Sequence, residues 1–345
     1  MRVSIHTQDM TPPRDASLVY VGCTAPAKAV LETLIDHEYP IEAVVTIGPE
    51  MARANSVSGY ASLEGVASEH DIRVYQPQGY SMEDSADLDF FQTVDPDLLV
   101  VNGWQRLIPE SILETATYGA LGNHGSAFGL PKGRGRSPLN WSLIEDRDRF
   151  LLSVIHLDPG ADSGDVLLTR KFDITDFDTI ETLYYKVTLL LEEMLLEVVP
   201  QILAGTLERA PQRGTPTYYP KRNPEDGEID WRNGTRSIYN LVRAVADPYP
   251  GAFTFADDQQ VMIWEAIPFS SDIAVDAPAG TIVAVFWTDE FVVATGDGTV
   301  LVRNWDADDW TPTEGSQFDT PSAPPTDRID SQDHHTNLSS TTDDA

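Results

Sequence analysis

Residues 18–47 run LVYVGCTAPAKAVLETLIDHEYPIEAVVTI. Leu18 to Val21 is a continuous apolar run that ends at Gly22, the pattern of a strand buried on both faces. Ala25 to His37 carries Val30, Leu31 and Leu34 at helical spacing. Ile41 to Ile47 is apolar and β-branched, a second strand. Strand, helix and strand in that order predict a right-handed parallel crossover. The turn after the first strand has no G-x-G-x-x-G, so neither NAD nor FAD is indicated.

The alternation continues outward. Helices are expected at Tyr60 to His70 and Met82 to Thr93, with a short strand at Ile72 to Tyr75 between them. Leu98 to Val101 is a buried strand that runs straight into Asn102-Gly-Trp-Gln-Arg-Leu-Ile-Pro109. Phe150 to Leu157 and Val166 to Asp173 are further strands, with His156 expected as a hydrogen-bonded core histidine. A long helix, Ile180 to Leu203, stops at Gly205. The fold class is therefore α/β, a mostly parallel sheet with helices on both faces, over residues 17–205. Beyond it, Pro211 to Arg236 is rich in Pro, Gly and charge, and a helix at Ile238 to Val245 is stopped by Pro248. Short strands at barrel spacing then fill a second domain, residues 206–310, which predicts a small β-barrel. A polar extension, 1–16, and an acidic tail, 311–345, flank these domains, and the tail has the composition of a disordered segment. His334-His335 in the tail is too weak a pattern for a metal site, and no metal is expected elsewhere.

Acidic residues number 55 against 23 basic, a formal net charge of −32. Such a surface opposes binding to a phosphate backbone, which needs clustered Lys and Arg. With only Lys28, Lys132, Lys171, Lys186 and Lys221 as lysines, the composition points to a protein that works in molar salt, a halophilic surface. One cysteine, Cys23, excludes an internal disulfide and fits a reducing, cytoplasmic setting, where its expected role is buried packing. No apolar stretch has the length of a leader or a membrane span.

The chemistry concentrates in Gly119 to Trp141, GALGNHGSAFGLPKGRGRSPLNW. His124 stands among glycines, followed by Lys132, Arg134 and Arg136 on alternate residues. So many glycines predict a loop leaving a strand end, where open α/β sheets place their ligands. Asn102 to Pro109 also leaves a strand end and is a second pocket wall. Asp158 to Asp165, DPGADSGD, is an acidic turn whose spacing departs from that of an EF-hand.

GWQRLIP, a histidine before a Leu-Pro-x-x-Arg-Gly segment, and Asp-x-Gly-x-Asp-Ser-Gly-Asp in this order resemble the 10-formyltetrahydrofolate-dependent formyltransferases. YYPKRNPEDGEIDW and LVRAVADPYPGAF resemble the C-terminal segments of methionyl-tRNA formyltransferase and of an amino-sugar N-formyltransferase. The resemblance spans residues 17–305 and implies a Rossmann-like first domain and an OB-like second one. It also implies formyl transfer from 10-formyltetrahydrofolate to an amine, with His124 and Asp162 as catalytic residues. The family's Asn-x-His does not transfer cleanly, because Gly122 stands two before His124 and Asn123 directly before it. Asn123, Asn102, Ser126 or a backbone N–H is then left to serve the developing oxyanion. Two extra residues also separate His124 from Pro131 relative to the family. The family's donor site maps to Gln105, Arg106, Leu107 and Asp158. Lys132, Arg134, Arg136 and Ser126 are left for the acceptor, although either arginine could instead tie the loop to nearby carboxylates.

A carboxylate beside an imidazole favours the charged ring, which can donate to an oxyanion, and the carboxylate can take the amine proton. The expected acceptor is a small amino-sugar nucleotide, since Gly48 to Gly59 holds Arg53 as its one cation. Methionyl-tRNA is the first alternative, and a non-catalytic folate-binding protein the second. No membrane partner is expected, and the one protein partner entertained is a second copy in a homodimer.

Overall fold

A computed structural model describes residues 12–273 and 275–321. The elements run β1 (Leu18–Val21), α1 (Ala25–Asp36), β2 (Ile41–Val45), α2 (Pro49–Ala54), α3 (Glu64–Glu69), β3 (Arg73–Tyr75), α4 (Ser85–Val94) and β4 (Leu98–Val101). Next come α5 (Glu110–Leu113), β5 (Ala120–Ser126), β6 (Arg134–Gly135), α6 (Pro138–Ile144), β7 (Arg149–His156), β8 (Val166–Asp173) and α7 (Ile180–Leu203). The C-terminal part holds β9 (Tyr218–Tyr219), α8 (Thr235–Val245), β10 (Ala252–Ala256), β11 (Gln259–Ser270), β12 (Ile282–Val285), β13 (Phe291–Ala294) and β14 (Thr299–Asp306). Two compact units result. One comprises the chain up to Arg134, Leu151–Phe172 and Tyr184–Thr215; the other comprises Gly135–Phe150, Asp173–Leu183 and the chain from Pro216.

The first unit is built on a seven-stranded sheet ordered β3-β2-β1-β4-β5-β7-β8. The β1–β2 and β1–β4 ladders are parallel, as the opening strand–helix–strand pattern requires. Side chains alternate between the two faces. Val19, Val21, Ala43, Val45 and Leu99 pack with Phe90, Phe91, Ile112 and Leu113, so α4 and α5 cover that face. Tyr20 points to the other face, where its hydroxyl donates to Ala27 O of α1 at 2.7 Å and accepts from Asn102 Nδ2 at 3.3 Å. Thr24 caps α1, its Oγ1 accepting from Ala27 N at 3.4 Å.

Two helices are shorter than their periodicity predicts. The chain before α3 makes backbone bonds to the turn after β1, Ala61 N to Cys23 O and Ala25 N to Gly59 O, which withholds Tyr60 to Leu63 from the helix. Before α4, Met82 takes a positive φ of 55° and Asp84 caps the helix by accepting from Ala86 N at 2.9 Å, so α4 starts at Ser85. Among the described residues no helix is long and apolar enough to cross a membrane.

The second unit carries a five-stranded antiparallel sheet ordered β10-β11-β14-β13-β12. Asn140 on α6 donates to Ala244 O on α8 at 2.7 Å, and Trp141 stacks on Tyr219 at 5.7 Å. The tail expected to be disordered from Thr311 is built into this unit as far as residue 321. Phe318 is buried and stacks on Trp231 at 5.3 Å, and Asp319 N donates to Phe255 O at 2.8 Å. One aromatic anchor and a few backbone bonds outweigh the polar composition there. Residues 1–11, the rest of the tail and His334-His335 lie outside the described residues.

Candidate active site

The glycine-rich segment expected to be a loop is, in its first part, the strand β5, and His124 lies within it. β4 pairs with it in parallel through Leu99–Ala120 and Val100–Leu121, and β7 pairs antiparallel, with His124 opposite Ser153. The β7 ladder runs the length of the glycine-rich part, Leu121 to Ser126, and supplies what low β-propensity withholds. Gly122 earns its place by packing, because a Cβ there would lie 2.5 Å from Leu157 Cδ2. Strand alternation sends Asn123 to the face opposite His124. Ser126 ends the strand by donating to Lys132 O at 2.6 Å and accepting from Gly129 N at 3.0 Å, which closes the loop over residues 127–133.

Asp162 reaches His124 from the antiparallel side of β5. It sits in the turn of the β7–β8 hairpin, which His156 N closes by donating to Asp165 O at 2.8 Å. Asp162 takes φ 52°, the left-handed region that few L-residues adopt. Its Oδ1 lies 3.2 Å from His124 Nδ1, with the imidazole 8% and the carboxylate 23% exposed. On the opposite edge of the ring, Nε2 lies 2.9 Å from Gly133 O. Both ring nitrogens thus face acceptors, and a carbonyl can only accept. The set is fully bonded when two protons are shared between the ring and Asp162.

The turn is held on three sides. Asp158 Oδ1 accepts from Gly160 N and from the Ser163 hydroxyl, so this carboxylate shapes the turn. A Cβ at Gly164 would lie 1.7 Å from His156 O, so the chain closes there only as glycine. Gln212 completes the frame. Its Nε2 donates to Asp162 O at 2.8 Å and Gly164 O at 2.7 Å, and its Oε1 accepts from buried Arg134 at 3.2 Å (Nε) and 2.8 Å (Nη2). Gln212 belongs to the passage that reads as linker, and no periodicity or motif singles it out.

Of the three alternate cations, Arg134 is buried on Gln212, Lys132 is exposed, and Arg136 is exposed in the second unit. The loop after β4 is braced from below. Gln105 N donates to Tyr80 OH at 2.9 Å, and Gln105 Nε2 donates to Ser58 O at 3.1 Å. Arg106 lies over the Tyr80 ring at 5.2 Å, while Leu107 is 58% exposed. Among the described residues the buried indole N–H of Trp104 has no hydrogen-bond partner. Cys23 Sγ donates to Gly103 O at 3.3 Å, and burial pushes its thiol up to about 11. His156 ends β7, its Nε2 3.2 Å from Tyr118 O, and burial lowers its pKa.

Residues 10–199 match the family model described as formyl transferase, and residues 221–320 match that of its C-terminal domain. The solved structures this chain is similar to include an N-formyltransferase from Helicobacter canadensis in complex with folinic acid and dTDP-3-aminofucose. The TM-score is 0.62 at 16% identity, over 84% of this chain and 99% of that one. HypX from Aquifex aeolicus, in complex with tetrahydrofolic acid, gives 0.61 at 19% identity over 84% of this chain. The chain spans less than half of HypX, 43% of its length. Methionyl-tRNA formyltransferase from Clostridium thermocellum gives 0.51 at 17% identity, over 75% and 96% of the two chains. At these identities the likeness is one of fold.

Proposed function

The chain belongs to the formyl transferase family, and from that membership we propose that it formylates the amine of a nucleotide-linked amino sugar, with 10-formyltetrahydrofolate as donor. The observation that carries this reading is the pair of buried His124 and part-buried Asp162, 3.2 Å apart. When bound, the folate supplies the formyl group. Arg106, Leu107 and Gln105 are the residues that would hold it, and on this one loop the exposed Leu107 side chain and the Trp104 N–H, unpartnered among the described residues, suit a flat heterocycle with polar edges.

His124 Nε2–H, which leaves Gly133 O for the purpose while Nδ1 stays on Asp162, donates a hydrogen bond to the oxygen on which charge builds as the amine adds to the formyl carbon. Asp162 accepts the proton that the amine loses and returns it to the departing nitrogen, so that no net proton is consumed. Asn123, on the opposite strand face, is given no role in this scheme. Lys132, exposed in the loop closed by Ser126, offers a charge-assisted bond to a diphosphate.

The acceptor assignment is supported by charge. α2 and the loop after it, the passage following β2, hold Arg53 as their one cation in a chain of net charge −32, poor ground for a tRNA. The test is formyl transfer in molar KCl to dTDP-3-aminofucose, to 4-amino-sugar nucleotides and to methionyl-tRNA in parallel. Sugar formylation is expected; efficient tRNA formylation without sugar activity would overturn the acceptor, and no transfer to any amine would overturn the activity.

A further inference from the structure

We propose that Gln212 is a positioning residue for the His124–Asp162 pair, an inference that rests on that pair being the reacting one. His124 is held between two acceptors carried by different loops, Asp162 Oδ1 on Nδ1 and Gly133 O on Nε2. Gln212 is bonded to both loops. Its amide N–H groups hold Asp162 O and Gly164 O, on either side of Ser163, and its carbonyl takes the guanidinium of Arg134, the residue after Gly133. One carboxamide therefore fixes the spacing between the two walls against which the ring stands.

The side chain is itself placed by backbone. Val166 N donates to Ala210 O at 2.8 Å and Ala210 N to Val166 O at 2.9 Å, which lays residues 210–212 beside the start of β8, next to the turn. The turn needs such a clamp. Asp162 has left-handed φ, a conformation an isolated chain leaves readily, and in this region the two carbonyls on either side of Ser163 are the ones Gln212 restrains. Glutamine is also the residue type the geometry demands. The site asks for two donors towards carbonyls and one acceptor towards an arginine fork, and a carboxamide supplies both from one planar group. Glutamate would keep the acceptor and turn an oxygen towards two carbonyls.

The test uses the full-length protein in molar KCl with Gln212→Glu, Gln212→Met, Asp162→Asn and the Gln212→Met/Asp162→Asn pair. Turnover is measured with 10-formyltetrahydrofolate and dTDP-3-aminofucose, and with methionyl-tRNA in a second arm. The ring nitrogen resonances of His124 are recorded in the free protein, which reports the hydrogen bonds without any acceptor. If Gln212 acts through Asp162, each single variant loses about 10-fold or more in kcat with donor KM within about twofold. Its effect also disappears in the Asp162→Asn background, and both His124 nitrogen resonances move. Additive losses in the double variant, or His124 resonances unmoved in a folded Gln212→Met, would overturn the proposal. Should Gln212→Glu fail to fold, Gln212→Met, which keeps length and volume, decides alone. Full turnover in Asp162→Asn would instead remove the reacting pair itself, a failure distinct from that of Gln212.

Discussion

Asp162 meets His124 from a strained backbone: its Oδ1 stands 3.2 Å from Nδ1 while its φ is 52°. A carboxylate delivered by a tight hairpin turn has little freedom to drift, which is what an acid–base group requires. Asp162→Asn keeps the shape and removes the proton acceptor. It should lower formyl transfer by about 100-fold or more, the usual scale for a lost acid–base group, with the thermal midpoint within a few degrees of wild type. Turnover close to wild type would remove Asp162 from the reaction.

Arg106 lies over Tyr80 in the loop that carries exposed Leu107. If this loop holds the donor, Arg106→Ala should raise donor KM several-fold, about 5-fold, and leave kcat nearly unchanged, the signature of lost uniform binding. A drop in kcat at constant KM would place Arg106 at the reacting centre instead.

Gly122 is closed to side chains by Leu157, whose Cδ2 would lie 2.5 Å from an added Cβ. Gly122→Ala is expected to cost about 1–3 kcal/mol by overpacking. Adding Leu157→Ala should recover part of that loss, so the two changes are non-additive in urea unfolding. Independent, additive costs would show that the two positions do not compete for the same space.

Burial lowers the pKa of His156 below that of an exposed histidine. The unfolded chain then binds a proton at a pH where the folded chain does not, so unfolding is favoured as pH falls through about 6.5. The contribution is complete above that value and is lost progressively towards the lowered folded pKa. Urea midpoints between pH 7.5 and 5 should fall, and His156→Gln should flatten that part of the curve. A curve unchanged by the substitution would assign the acid sensitivity to other groups.

With a net charge of −32, mutual repulsion is long-ranged in dilute buffer and screened in concentrated salt. Reversible unfolding is expected below about 0.5 M KCl, where screening weakens. Circular dichroism across a KCl series checks this, and full stability in dilute buffer would refute the salt requirement.

The first unit was legible because its central strands are almost wholly apolar: LVYV, LLVV and, apart from exposed Glu42, IEAVV could hardly be anything but buried. The helix from Ala25 and the long helix from Ile180 follow from spacing alone. β5 was hidden because propensity is a local quantity, whereas a strand between two partners is decided by its neighbours. The same limit hid the antiparallel β7 and hence the route by which Asp162 arrives. His124 and Asp162 could be named from motif order. Gln212 could not, since its role lies in three backbone loops brought together only in space. Phe318 marks the opposite error, a polar stretch ordered by one aromatic ring.

Cys23 lies beneath the loop after β4, its thiol donating to Gly103 O and held up near 11. At pH 8 a thiol in that state is thiolate on the order of one part in a thousand, and it is also shut away from reagent. Whenever the loop lifts, the sulfur regains ordinary acidity and meets water. With a single cysteine in the chain, every adduct formed with an aromatic disulfide reports on this one site. The labelling rate, followed as absorbance, is therefore a clock for the breathing of the loop, and a ligand that seats on that loop would slow it in proportion to its occupancy.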